Sequence, residues 1–198
     1  MDLNGVIAAY VGLERGVQRV VADLSAAACA ACGGQCCREE ICRESVESPF
    51  LRAVIAADDT APGPYDERAG WMRADGCALA AGRPPVCYEY ACSDVTDALH
   101  DSLQVYLYEV VSYLLTVAGE QVAGRTHAVE LLDADDLPAV DCDRWAAQVQ
   151  AADAGLNPVG LAKGVVPFDL DPVLVLRSNC AAKTHCEQGA ERRQAGLG

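Results

Sequence analysis

The residues of this chain with most chemistry to offer are its 11 cysteines, and their spacing is uneven. The first group reads Cys29-Ala30-Ala31-Cys32-Gly33-Gly34-Gln35-Cys36-Cys37, with Cys42 shortly after. The second holds Cys77, Cys87 and Cys92. A Cys-x-x-Cys pair at a turn brings two sulfurs within reach of one ion. Gly33 and Gly34 permit the tight turn and let backbone N–H groups approach the sulfurs. Thiolates so placed suit zinc in a tetrahedral site, or iron in an iron–sulfur cluster. Cys36 and Cys37 are neighbours whose side chains diverge, so they serve two metal positions or only one of them is a ligand. The candidate metal ligands are therefore Cys29, Cys32, Cys36, Cys37, Cys42, Cys77, Cys87 and Cys92. The plain alternative is buried thiols or regulatory disulfides, but scattered core use of cysteine does not cluster in this way.

With these residues in place, the segment resembles a known family, the YkgJ-like cysteine-cluster proteins named for a CxxCxxCC motif. Cys29, Cys32, Cys36 and Cys37 correspond to the first motif. Cys77, Arg83, Pro84, Cys87 and Cys92 correspond to a second, Cys-x5-Arg-Pro-x2-Cys-x4-Cys. The resemblance covers roughly residues 26–93 and implies a zinc- or iron-chelating domain, with no settled activity attached. Two features depart from the pattern. Three residues separate Cys32 from Cys36 where the motif has two, and no cysteine lies between Cys42 and Cys77.

Energetics favour metal over bare thiols: a structural zinc contributes about 10–16 kcal/mol of apparent binding free energy in small sites. Thiolate sites are anionic, and Arg38, Arg43 and Arg83 lie beside the motifs as sources of hydrogen bonds. Pro84 sets the turn before Cys87. The remaining cysteines read differently. Cys142 is a core or surface residue. Cys180 and Cys186, with His185 between them, read as free thiols because their spacing is loose, the alternative being a further site or a completion of the first. His100 falls on the polar side of its helix, and His127 has no evident partner. A catalytic Cys–His pair meets in space rather than in sequence, so it stays open as a minor reading. Asp133, Asp135 and Asp136 lack calcium-loop spacing and read as a solvated turn.

The elements that must position these groups are mainly helical. Leu3, Val6, Ile7, Tyr10, Val11, Val17, Val20, Val21 and Leu24 predict one face of a helix over 3–28 that runs into Cys29. A second helix is expected over 49–57, capped by Ser48 with Pro49 in its first turn. Residues 59–70 read as a loop and 71–92 as turns. The strongest helix pattern spans 94–118, capped by Ser93 or Asp94, with Leu99, Leu103, Tyr106, Val110, Leu114 and Val117 inward. A strand over 127–132, a helix over 143–153, and a helix or strand over 171–180 follow, with a polar tail at 188–198. The expected architecture is mainly α, a single helical domain over 1–198. The cysteine-cluster core lies in 26–93 at one end, and 94–198 form a helical C-terminal part of unassigned role.

Composition narrows the function further. With 198 residues and 52% hydrophobic content, the chain can bury a core without disulfides. A formal net charge of −14 opposes nonspecific nucleic-acid binding and docking on an anionic membrane. The most apolar window, Val105–Val117, contains Glu109 and is too short for a membrane span. Met1-Asp2-Leu3-Asn4 lacks a basic export region, and Glu14 and Arg15 interrupt the first apolar stretch. The expected setting is cytoplasmic and reducing, where cysteines serve as thiols or ligands. The leading reading is a metal-binding protein chelating zinc or iron. The alternative is an iron–sulfur redox protein or a component of a modification enzyme. A third reading is an interaction module whose long helices meet a protein partner.

The ligand set is tested by substitution. Cys32→Ser and Cys87→Ser each lower the metal content of the purified protein, whereas Cys142→Ser leaves it unchanged. Equal metal content in all three by elemental analysis refutes the assignment.

Overall fold

The spacing of apolar residues along 3–28 is realised as α1, Leu3–Ala31, which carries Cys29 within its last turn. The computed structural model describes residues 1–31, 38–73, 76–99, 102–131 and 134–156. Helix accounts for 67% of what is described, so the expected mainly helical class holds. After α1 come α2 (Glu39–Glu47), α3 (Pro49–Ala57), β1 (Met72–Arg73), β2 (Gly76–Cys77), α4 (Val86–Glu89), α5 (Ser93–Ala98), α6 (Ser102–Gly119) and α7 (Cys142–Gly155). The two strands form a small antiparallel hairpin, with Met72 opposite Cys77.

The centre of the fold is built by α1, α3, α6 and α7. Val6, Tyr10 and Val17 of α1 bury completely beside Phe50 and Val54 of α3, Val111 and Leu115 of α6, and Trp145 of α7. Tyr10 meets Phe50 edge-on with ring centroids 5.0 Å apart, and Phe50 meets Trp145 at the same separation. Such edge-to-face pairs add to the area-based gain of burying the rings. Ser48 serves as predicted: its hydroxyl accepts from Leu51 N at 3.3 Å, and Pro49 occupies the first position of α3. Among the described residues no helix is long and apolar enough to cross a membrane.

Several expectations are corrected. The helix predicted over 94–118 is two helices, because Leu99 is extended (φ −73°, ψ 116°). Both pieces contribute to the smaller cluster, α6 through Tyr108, and α6 also reaches the central core. Val95 and Leu99 pack with Ala28 near the end of α1, while Val111, Leu115 and Ala118 face the central core. Leu99, Val110 and Leu114 are buried as expected, whereas Tyr106 is left 38% exposed. Cys92, not Ser93 or Asp94, occupies the N-cap position of α5, without a side-chain capping bond.

The strand expected over 127–132 is instead a 3₁₀ turn, Ala128–Glu130. The ring of His127 accepts from Val129 N, and Glu130 accepts from His127 N, which closes the turn from both sides. Helix α2 had no predicted counterpart. It carries little apolar surface and depends on tertiary contacts, including a bond from Trp71 Nε1 to Ser45 Oγ at 2.5 Å. The segments expected over 171–180 and 188–198, with Cys180, His185 and Cys186, lie outside the described residues, as does His100.

Because Phe50 touches both other rings, Phe50→Ala removes two aromatic contacts and opens a cavity. The expected loss is about 3–5 kcal/mol in urea unfolding, and a loss below about 1 kcal/mol contradicts this packing.

Candidate functional site

Helices α1, α2 and α4 and the start of α5 bring four of the eight candidate cysteines to one place. Cys29, Cys42, Cys87 and Cys92 all line a cavity of about 240 Å³. Its remaining walls are largely apolar, supplied by residues such as Val21, Ile41 and Val95, and Arg38 stands among them as the one cationic side chain of the lining. The exposure of the four differs: Cys29 and Cys87 are exposed, while Cys42 and Cys92 are each only 6% exposed. Cys32, Cys36 and Cys37 lie outside the described residues. By chain connectivity they join Ala31 to Arg38, and Cys29 and Arg38 both line the cavity.

The four thiols share a cavity rather than a coordination sphere. Among the described residues, no three His, Cys, Asp or Glu side chains are grouped closely enough to hold a metal ion. Cys77 is not in the lining. It sits half-buried on β2, packed against the cluster of Cys42, Trp71 and Leu79. Cys42 is wedged tightly there. A Cβ on Gly70, whose φ is +60°, would come within 2.8 Å of Cys42 Sγ, so glycine is needed both for the turn and for the sulfur.

The second cysteine segment is held to α1 by a residue that sequence reading treated only as a polar interruption. Glu14 is 0% exposed, on the core face of α1 between Tyr10 and Val17. Its carboxylate accepts from Gly82 N at 2.7 Å, Arg83 N at 2.9 Å and Tyr88 Oη at 2.8 Å. Burying a carboxylate is costly unless its lone pairs are satisfied, and these three donors satisfy them. Gly82 adopts φ +85°, and a Cβ there would collide with Ile55, so no other residue can place that N–H. The signal available in sequence was the helical spacing of Glu14 within an apolar stripe.

Arg83 does not reach solvent ion partners. Its Nε and Nη2 donate to Leu79 O at 2.9 and 2.6 Å, and its guanidinium lies 5.9 Å from the Tyr88 ring centroid. Burial works against its charge. The Tyr88 phenol, the Cys77 thiol, the Glu14 carboxyl and the Cys87 thiol outweigh that cost and hold its pKa above the usual guanidinium value. Arg38 and Arg43 instead pair with Glu40 and Glu39 at the surface.

The minor candidates also find places. His127 gains the partners that sequence did not reveal. Nε2 lies 3.0 Å from Thr116 O and Nδ1 accepts from Val129 N. Both nitrogens are already engaged by backbone groups, and burial holds its pKa below the ordinary value. Cys142 opens α7 and packs, partly buried, against the central core. Asp135 and Asp136 are exposed in the 3₁₀ turn Ala134–Ala139. Sequence reading missed a second, more open groove of about 580 Å³. There Glu44 and Glu47 of α2, Glu89 of α4 and Glu130 of the 3₁₀ turn share the lining with His127.

The state of Glu14 carries a pH dependence of definite sign. Burial raises its pKa above the ordinary 4.5, and the bonds from Gly82, Arg83 and Tyr88 only partly counter this. A raised carboxyl pKa gives stability that is full below the unfolded value and is lost as pH rises through the folded one. Glu14→Gln replaces the titrating carboxyl by a neutral amide, whose N–H meets the same donors as the O–H of the protonated acid, so its stability does not carry this pH dependence. The stability of the wild type relative to the variant therefore falls as pH rises above 4.5. Urea unfolding at a series of pH values reads this, and a wild type that gains on the variant as pH rises refutes it.

Compared with known proteins, the chain matches no family model, no curated protein and no solved structure.

Proposed function

We propose that this chain is a cysteine-cluster metal-binding protein that chelates zinc or iron through thiolates of its two cysteine motifs. The observation that carries the reading is the convergence of Cys29, Cys42, Cys87 and Cys92, from four separate segments, on a single cavity. The donor chemistry fits the group. Thiolates in an apolar setting suit zinc and iron–sulfur chemistry, whereas magnesium and calcium take oxygen ligands. Cys32, Cys36 and Cys37 complete the donor set in this reading, and binding draws the thiols from a shared cavity into one shell. Cys77, packed against the cluster that holds Cys42, is the remaining donor of the second motif in this reading. The two motifs resemble those of the YkgJ-like family, which supports the same assignment. The thiols are ligands only while reduced, so the proposed setting is a reducing, cytoplasmic one.

A second reading, an iron–sulfur protein of redox or modification chemistry, is favoured by the size of the cavity. At about 240 Å³ it exceeds what a single ion needs, a water molecule's share of liquid volume being about 30 Å³.

Anaerobic purification followed by elemental analysis and a visible spectrum tests both. Zinc without a chromophore selects the first reading, and iron with visible thiolate-to-iron absorption selects the second. No bound transition metal, with all 11 thiols titrating freely, overturns both. Metal is also released as pH falls, because protons compete for the thiolates.

A further inference from the structure

We propose that Glu14 is a positioning residue of the cysteine site, which sets how the segment from Cys77 to Cys92 is presented to the cavity. The inference rests on the thiolate reading above, and it assigns a role to a residue outside either motif. Glu14 is 15 residues before Cys29 on α1, about 22 Å along the helix axis. It is therefore not a neighbour of the Cys29 end, and acts through what it holds.

All three of its donors lie in the second cysteine segment. Tyr88 adjoins Cys87, and Gly82 and Arg83 stand between Cys77 and Cys87. Cys87 is carried by α4, a helix of four residues, Val86–Glu89. One turn of helix is not stable by itself, so its orientation has to come from tertiary anchors. The structure provides two on consecutive residues. Tyr88 is fixed to Glu14, and Glu89 accepts a hydrogen bond from Thr116 of α6. The turn is gripped from α1 on one side and α6 on the other, with Cys87 next to the grip.

The same carboxylate fixes the backbone of Arg83, whose guanidinium lies within electrostatic range of Cys77 and Cys87. An apolar side chain of similar volume is cheaper to bury than a carboxylate. It leaves two backbone N–H groups and a phenol without an acceptor, and it frees the segment that carries the sulfurs. A purely structural carboxylate predicts loss of stability alone. A positioning residue predicts loss of metal affinity beyond that of an equally destabilised protein.

The test uses the full chain with Glu14→Gln, Tyr88→Phe and Val149→Ala. Val149 is buried in the central core on α7 and is not among the residues lining the cysteine cavity. Zn²⁺ affinity is measured by chelator competition, stability by urea unfolding, and Cys87 reactivity by alkylation of the metal-free protein with peptide mapping. Glu14→Gln is expected to weaken Zn²⁺ binding about tenfold or more, the scale on which groups behind metal ligands act. Tyr88→Phe weakens it in the same direction, and both change the alkylation rate of Cys87. Val149→Ala is less stable but binds Zn²⁺ as the wild type does.

Wild-type affinity in both Glu14→Gln and Tyr88→Phe overturns the proposal, and so does equal weakening in all three variants. Should Glu14→Gln fail to fold, Tyr88→Phe decides, since it removes one hydroxyl and keeps the ring. A wild type that binds no Zn²⁺ counts against the thiolate reading instead. Cys87 alkylation then decides the role of Glu14: a changed rate in the two variants supports it, and an unchanged rate overturns it.

Discussion

A carboxylate with no solvent contact, in the middle of a long helix, is the constraint on which the cysteine-bearing half of this fold depends. Glu14 accepts from Gly82 N, Arg83 N and the Tyr88 hydroxyl, partners 68 to 74 residues away in sequence. Burying its charge is unfavourable, and burial indeed pushes its pKa up. The interaction persists because each donor is itself buried or half-buried and has no better acceptor. It acts together with the burial of Leu79, Ala81 and Tyr88 and the bonds at Glu89 and Tyr90 to hold the stretch between β2 and α5, which contains only one short helical turn.

That stretch lies between two packed regions with different jobs. The aromatic group of Tyr10, Phe50 and Trp145 gives the central core its bulk and ties α1 to α3 and α7. At the far end of α1, Ala28 packs with Cys92, Val95 and Leu99 in a smaller cluster. Helix α1 runs through both, so one rigid rod fixes the distance between the core and the sulfur-lined cavity. The break at Leu99 has the same logic. It lets α5 turn Val95 and Leu99 to the small cluster, while α6, which adds Tyr108 there, turns Leu115 to the central core.

The electrostatics of the two cavities differ sharply. One is walled by thiols and apolar groups with Arg38 at its lining; the other is lined by four glutamates together with His127. Ile41 and Val86 border both, so the two adjoin. In a chain of net charge −14, the arginines are spent locally. Arg38 and Arg43 pair with glutamates on their own helix, Arg15 pairs with Asp58, and Arg83 is enclosed near Cys77 and Cys87.

The sequence by itself determined the helical class, the extent of α1, the capped α3 and the concentration of cysteines in two segments. These follow from local causes: apolar spacing, a serine and a proline at the right positions, and residue identity. It did not determine α2, whose apolar face is only Ile41, Cys42 and Val46 on an otherwise charged nine-residue helix, or the break at Leu99, which local propensity along 94–118 conceals. Nor did it determine the turn at Ala128–Glu130, where a histidine and a glutamate cap what apolar alternation presents as a strand. Only the tertiary structure decided which thiols meet. It put Cys29, Cys42, Cys87 and Cys92 around one cavity and set Cys77 beside Cys42. It also turned Glu14 from an interruption in an apolar face into the anchor of a distant loop. The reason is physical: a buried hydrogen bond across about 70 residues depends on where two backbones pass each other, and no pattern of neighbours in the chain encodes that position.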